Sequence, residues 1–150
     1  MTHGPAIDAT SASRLRRAVG RISRELNEPA TAAGLTPTQA SVLAVVTSRG
    51  PLRLQDLVGL EQINPTMLSR VIGKLDTLGY VRRAPSEADQ RVIVVTATPS
   101  GGRVNRRIRA QRTAVLTECV ATLSARHAAM LANSVDALEA LANAFDKRRG

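Results

Sequence analysis

From Ser13 onward the apolar positions Leu15, Val19, Ile22 and Leu26 recur at spacings of four, three and four, with Arg14, Arg16, Arg17, Arg21, Arg24 and Glu25 between them. That period is the turn of an α-helix, so the segment reads as an amphipathic first helix. The seven prolines punctuate the chain without interrupting a helical pattern. Three of them follow capping residues, in Thr36-Pro37, Asn64-Pro65 and Thr98-Pro99. There the side-chain oxygen can accept a free amide while Pro takes the first helical position, so each pair marks a helix start. Thr36-Pro37-Thr38-Gln39 has the spacing of a capping box. A second helix is predicted from Pro37 to about Ser48, stopped by Gly50-Pro51. A short third carries Leu54, Leu57 and Val58, and a fourth runs from Pro65 to Leu78.

The period then changes. Gly79 to Arg83 and Val92 to Thr96 are β-branched or extended segments flanking the polar, breaker-rich Pro85 to Gln90, which predicts a hairpin with a long tip. After Pro99 a long helix carries Val104, Ile108, Val115, Leu116, Cys119, Val120 and Leu123. Ser124 is read as the cap of a last helix holding Leu131, Val135, Leu138, Leu141 and Phe145. Residues before about Thr10 and the tail from Lys147 are expected to fray. The fold class is therefore mainly α with a small β-hairpin.

Composition narrows the function. A chain of 150 residues with 43% hydrophobic and 22% charged residues can fill the core of one domain and excludes a large multidomain enzyme. With 1% aromatics, that core must be Leu, Val, Ile and Ala. The single Cys excludes an internal disulfide, the N-terminus lacks a signal-peptide pattern, and no apolar run approaches the roughly 20 residues of a membrane helix. A cytoplasmic protein with no membrane contact is expected. The net charge of +9 raises the prospect of nucleic acid, subject to where the charges lie.

On the helix from Pro65, residues turn by about 100° each, so Leu68, Val71, Ile72 and Leu75 make one apolar stripe. Thr66, Arg70, Gly73 and Thr77 point the other way, flanked by Ser69 and Lys74. The short third helix, a tight turn and this fourth helix form a helix-turn-helix, whose exposed hydroxyls and cations suit DNA phosphates or base edges. Gly73 would let the backbone of a duplex approach. The hairpin that follows has the form of a wing, with Arg82 and Arg83 on one strand and Arg91 near the tip. A basic tip fits a narrow minor groove, and Asp89 can hold the Arg91 guanidinium in a fork beforehand.

These residues resemble the MarR family of winged-helix transcription factors. The resemblance runs from about Leu15 to Phe145 and rests on Leu35-Thr36-Pro37-Thr38-Gln39, on Asn64 to Arg70, and on Leu75 followed by Leu78-Gly79-Tyr80-Val81. Its most specific element is Asp89-Gln90-Arg91, similar to the family's Asp-x-Arg wing signature, followed by Thr98 and Gly101. Ala97 departs from the usual Leu before Thr98, and Arg126-His127 stand where acidic residues often follow Ser124. The resemblance implies a ligand-responsive repressor that binds a pseudo-palindromic double-stranded operator as a homodimer. It divides the chain into a winged-helix lobe of about 36–98 and a helical dimerisation region of about 12–33 plus 99–147. Its DNA-binding residues would be Thr66, Ser69, Arg70, Lys74, Arg83, Asp89 and Arg91, and its dimer contacts Leu15, Val19, Ile22, Leu131, Leu138, Leu141 and Phe145.

The resemblance also implies a ligand cleft. Arg14, Arg17 and Arg21 are expected to border an apolar wall of Val42, Leu43 and Val46, a chemistry suited to an anionic or phenolic effector such as salicylate. The crowded Arg103, Arg106, Arg107, Arg109 and Arg112 would face DNA phosphates, carboxylates of a partner, or solvent. Cys119 is expected to be a buried, inert thiol, although some relatives sense oxidants through a Cys on the first helix. His3, His127 and Cys119 are too few and scattered for a metal site, so no metal and no cofactor are assigned. A Cys-His hydrolase using Cys119 and His127 lacks an oxyanion turn. The remaining alternative is a basic helical adaptor for an acidic partner, separable by its lack of sequence-specific, salt-sensitive DNA binding.

Overall fold

The computed structural model describes residues 7–148. The expected frayed ends at 1–6 and 149–150, and His3, lie outside them. Helix α1 spans Ala9–Ala32 and starts ahead of Ser13 because Asp8 caps it, its Oδ1 accepting the Ser11 N–H at 2.9 Å. Pro29 lies inside α1, against the expectation that no proline would interrupt a helix. A proline there removes one rung of the helical ladder. In the neighbouring part of the same turn, Arg112 Nε donates to the Leu26 carbonyl at 2.8 Å, and its Nη2 lies 3.5 Å from Asn27 Oδ1.

Helix α2, Pro37–Arg49, opens on the expected capping box and ends at Gly50, whose φ is +78°. Strand β1, Leu52–Arg53, was not anticipated, since two residues are too short to show an alternating pattern. Helix α3 spans Leu54–Glu61 and α4 spans Pro65–Thr77. Strands β2, Val81–Pro85, and β3, Ile93–Ala97, form the hairpin. β1 adds to it, giving an antiparallel sheet of order β1-β3-β2 with Leu52 opposite Val95 and Arg53 opposite Val94. Helix α5 spans Pro99–Ala121. The single last helix expected from Ser124 is two, α6 at Ala125–Asn133 and α7 at Val135–Lys147. They part at Ser134, whose hydroxyl donates to the Met130 carbonyl at 2.7 Å and competes with the helical ladder. Ser124 does cap α6, accepting the His127 N–H at 3.3 Å.

The described residues form two compact units, one through Arg112 and one from Thr113. The division falls inside α5, and α1 belongs to the first unit. The reason is a shared core: Ala30 of α1 and Ile108 of α5 are buried with Leu43, Val46, Leu57, Leu68, Ile72, Leu75, Val81 and Val95. In the second unit no described residue is buried.

One junction joins α4, the hairpin and α5. Gly79 takes φ +73°, which lets Tyr80 N–H return to the Leu75 carbonyl at 2.9 Å and turns the chain into β2. Thr98, at the end of β3, donates its N–H to the Tyr80 carbonyl at 3.0 Å and its hydroxyl to the Gly79 carbonyl at 2.5 Å. The same hydroxyl accepts the Gly101 N–H at 3.1 Å, capping α5. Gly101 rests directly on the turn that leads into β2: a Cβ there would stand 2.0 Å from the Tyr80 carbonyl oxygen, whereas one on Gly102 would meet only the flexible end of Arg106 at 3.5 Å. Gly101→Ala is therefore expected to destabilise by about 3 kcal/mol through overpacking, while Gly102→Ala stabilises by up to about 1 kcal/mol through helix propensity. Urea denaturation of both variants checks this, and equal effects would contradict the contact.

Candidate nucleic-acid interface

The turn between α3 and α4 is made by Gln62 in the left-handed region at φ 53° and by Asn64, whose Oδ1 accepts the Met67 N–H at 2.8 Å. The apolar stripe of α4 is buried as its spacing predicts, with Leu68, Ile72 and Leu75 at 0–1% exposure and Val71 at 7%. Burial on one side fixes the rotation of the helix, so Thr66, Ser69, Arg70 and Lys74 face outward and are exposed. Thr77 is exposed too, but its hydroxyl turns back to the Gly73 carbonyl at 2.9 Å. Met67, half-exposed, stands on the outward side among these polar residues. Sequence reasoning missed it, although an apolar residue out of register with the stripe was a legible signal.

The hairpin register runs from Val81 opposite Ala97 to Pro85 opposite Ile93. Its tip is tied by Ser86 N–H to the Val92 carbonyl at 2.7 Å and by Val92 N–H to the Asp89 carbonyl at 2.9 Å. Asp89 and Arg91 form the expected fork: Nε meets Oδ1 at 3.2 Å and Nη2 meets Oδ2 at 3.4 Å. The Arg91 N–H also donates to Oδ1, at 3.0 Å. These bonds leave the Arg91 side chain 91% exposed yet oriented. They hold the Asp89 carboxyl below its ordinary value, the Arg91 side chain first, then its N–H, with Arg53 on β1 adding a weaker favourable charge.

Strand alternation separates the two neighbouring arginines of β2. Arg82 lies opposite Thr96 and borders an outer groove of about 560 Å³ with Arg53, Thr96 and Ala84. Arg83 lies opposite the buried Val95, and its Nη2 donates to the Ser69 carbonyl of α4 at 3.3 Å. That guanidinium also sits 3.9 Å from where a Cβ of Gly73 would stand. The open approach expected over Gly73 is thus occupied by the protein's own arginine.

Within the single chain, the residues expected to border an effector are placed apart. Arg14, Arg17 and Arg21 are exposed on α1, whereas Val42, Leu43 and Val46 are 0–1% exposed inside the core. The recess beside these arginines is lined by Ser11, Arg14, Leu15 and Ala18, all of α1. Of the α5 arginines, Arg103, Arg106, Arg107 and Arg109 are exposed, while Arg112 is committed to α1. Cys119, expected to be buried, is exposed, because its apolar neighbours on α5 gain no covering layer within the chain. His127 Nδ1 lies 3.1 Å from Ser124 Oγ, a capping contact. The expected dimer residues Leu15, Val19 and Ile22 in the first unit, and Leu131, Leu138, Leu141 and Phe145 in the second, are 37–50% exposed. Among the described residues no group of three His, Cys, Asp or Glu could hold a metal, and no helix is long and apolar enough to cross a membrane.

Comparison with known proteins bears on this geometry. The MarR family model matches residues 35–93, from the end of the α1–α2 turn to the start of β3. Over 134 residues the chain is 32% identical to the HTH-type transcriptional regulator Mb0904 of Mycobacterium bovis, covering 89% of this chain and 94% of that one. The chain belongs to the MarR family. It is a MarR family transcriptional regulator, 24% identical over 104 residues to the HTH-type transcriptional repressor MdtR of Bacillus subtilis, across 69% of this chain and 67% of MdtR. The fold matches a mutant of MepR from S. aureus, solved bound to an oligodeoxyribonucleotide, with TM-score 0.70 and 18% identity, covering 89% of this chain and 99% of that one. Within this MarR fold, α3 and α4 are the helix-turn-helix and β2–β3 the wing.

The Asp89 fork makes the wing pH-sensitive. A carboxyl held below its ordinary value of 3.8 favours the folded turn fully above that pH, and the contribution is lost as the pH falls through the lower folded value. Protection of the Arg91 amide is expected to fall progressively as the pH drops below 3.8, and Asp89→Asn to remove the dependence. A titration midpoint for Asp89 at or above 3.8 would contradict the fork.

Proposed function

We propose that this MarR family regulator represses transcription by binding a pseudo-palindromic operator as a homodimer. The observation that carries the reading is the pairing of two features on one lobe. An outward face of α4 bears Thr66, Ser69, Arg70 and Lys74, and beside it stands a wing whose exposed Arg91 is pre-oriented by Asp89. A helix of this composition suits the major groove, where Arg and Lys bond guanine and hydroxyls bond phosphates or base edges. Met67 adds an apolar contact for a thymine methyl. An arginine on an extended tip suits the minor groove of A·T-rich flanks, where the negative potential is strongest. The net charge of +9 favours encounter with DNA. The repressor name of MdtR and the oligonucleotide bound by the MepR mutant support the same reading.

A second copy of the chain is part of the proposal. Leu15, Val19 and Ile22 in the first unit, and Leu131, Val135, Leu138, Leu141 and Phe145 in the second, lie 37–50% exposed at helical spacing. Large apolar stripes of this kind are covered by a partner in stable proteins.

The test begins with duplexes selected by the protein from a random pool. Arg91→Ala is expected to weaken binding to the selected duplex by about 1–3 kcal/mol with the fold intact, and Arg70→Ala to remove most of its preference over random duplex. Unchanged affinities, or the absence of any selected sequence, would favour the basic-adaptor alternative. For the dimer, Leu138→Asp with Phe145→Asp is expected to give a monomer or an unfolded chain by sedimentation and circular dichroism. A dimer of unaltered stability would reject the assignment of those side chains.

A further inference from the structure

Arg83 was expected to be one of the cations that meet DNA, but its guanidinium is already in use. The alternation of β2 puts it on the side of the sheet occupied by Val81 and Val95, both buried, and away from Arg82 and Ala84. From there it reaches across to α4, where Nη2 donates to the Ser69 carbonyl at 3.3 Å and packs over Gly73, one helical turn further on. The guanidinium lies 3.9 Å from the position of a Cβ on residue 73, ordinary contact distance, so a small residue there leaves it room whereas a long side chain would take its place. A helical carbonyl has a second lone pair beyond the one used in the helix, and a cationic donor forms the stronger, charge-assisted kind of bond to it.

The anchored turn carries Ser69, Arg70 and Lys74, the proposed reading residues. The bond therefore connects wing and reading helix midway along both, where no backbone hydrogen bond joins them, and it opposes rotation of α4 relative to β2. We propose that Arg83 is a positioning residue and a determinant of DNA specificity, a strut that sets the angle between wing and recognition helix, and that it is not a phosphate ligand. This rests on the operator-binding reading above for its DNA consequence, but the strut itself exists in the free protein.

The experiment uses the full chain with Arg83→Ala. Arg83 is exposed, so the variant is expected to fold, with an unchanged far-ultraviolet spectrum as the check. In the free protein, amide exchange of residues 69–74 is expected to quicken about tenfold relative to the buried α2, which reads the strut without DNA. With the selected duplex, the preference over random duplex is expected to fall about tenfold. The slope of log affinity against log salt should stay the same, since no counterion-releasing contact is lost. A slope smaller by about 0.9 with unchanged exchange identifies a phosphate ligand and overturns the proposal. Unchanged exchange alone also overturns it, and faster exchange with undiminished preference overturns the specificity role. If wild-type protein selects no duplex, the operator-binding reading fails and the exchange measurement alone decides whether the strut stands.

Discussion

The close approach of Gly101 to the Tyr80 carbonyl is the contact on which the arrangement of the lobe depends. At that point the turn after α4, the base of the wing and the first turn of α5 meet within hydrogen-bonding distance, with Thr98 bonded to Gly79 and Tyr80 on one side and to Gly101 on the other. A side chain at 101 would separate them. Because α4 is held from within by Leu68, Ile72 and Leu75, and the wing is held at its base by this junction, the outward residues inherit defined positions from buried ones. Precision at a binding surface is derived in this way from packing that never touches the ligand.

Electrostatics then divides the arginines by what they can do. Arg91 is held by Asp89 but keeps its side chain in solvent, so in the proposed complex it would meet a polyanion at little further cost in side-chain freedom. Arg112 is spent on the Leu26 carbonyl of α1, and Arg83 on the Ser69 carbonyl. A net charge of +9 is thus a poor guide to the number of cations available to DNA. Some of that charge is structural.

The apolar surface tells a complementary story. The core of the first unit is continuous from Ala30 to Ile108, yet the second unit has helices with no buried described residue. Burying a Leu or Phe side chain is worth about 1.5–3 kcal/mol, so stripes left half-exposed in one chain withhold a sum comparable to the stability of a small domain. On the proposed homodimer, folding and self-association would be linked quantities.

The sequence by itself determined the features set by local physics. Capping at Thr36, Asn64 and Ser124, the stripe of α4 and the Asp89–Arg91 fork depend on residues two to four apart, whose geometry follows from helix period and turn chemistry. The family resemblance was legible for the same reason, since its motifs are compact. Contacts between distant segments were not legible. Arg83 and Ser69 are 14 residues apart and Arg112 and Leu26 are 86 apart, so only strand register and helix docking could pair them. The strand at Leu52–Arg53 exists because β3 offers it an edge. Val42 and Val46 have the composition of a cleft wall, and tertiary packing alone decided that they are core. Local energies select each element, whereas which side chains meet depends on the entropy already spent in closing the chain around a shared core.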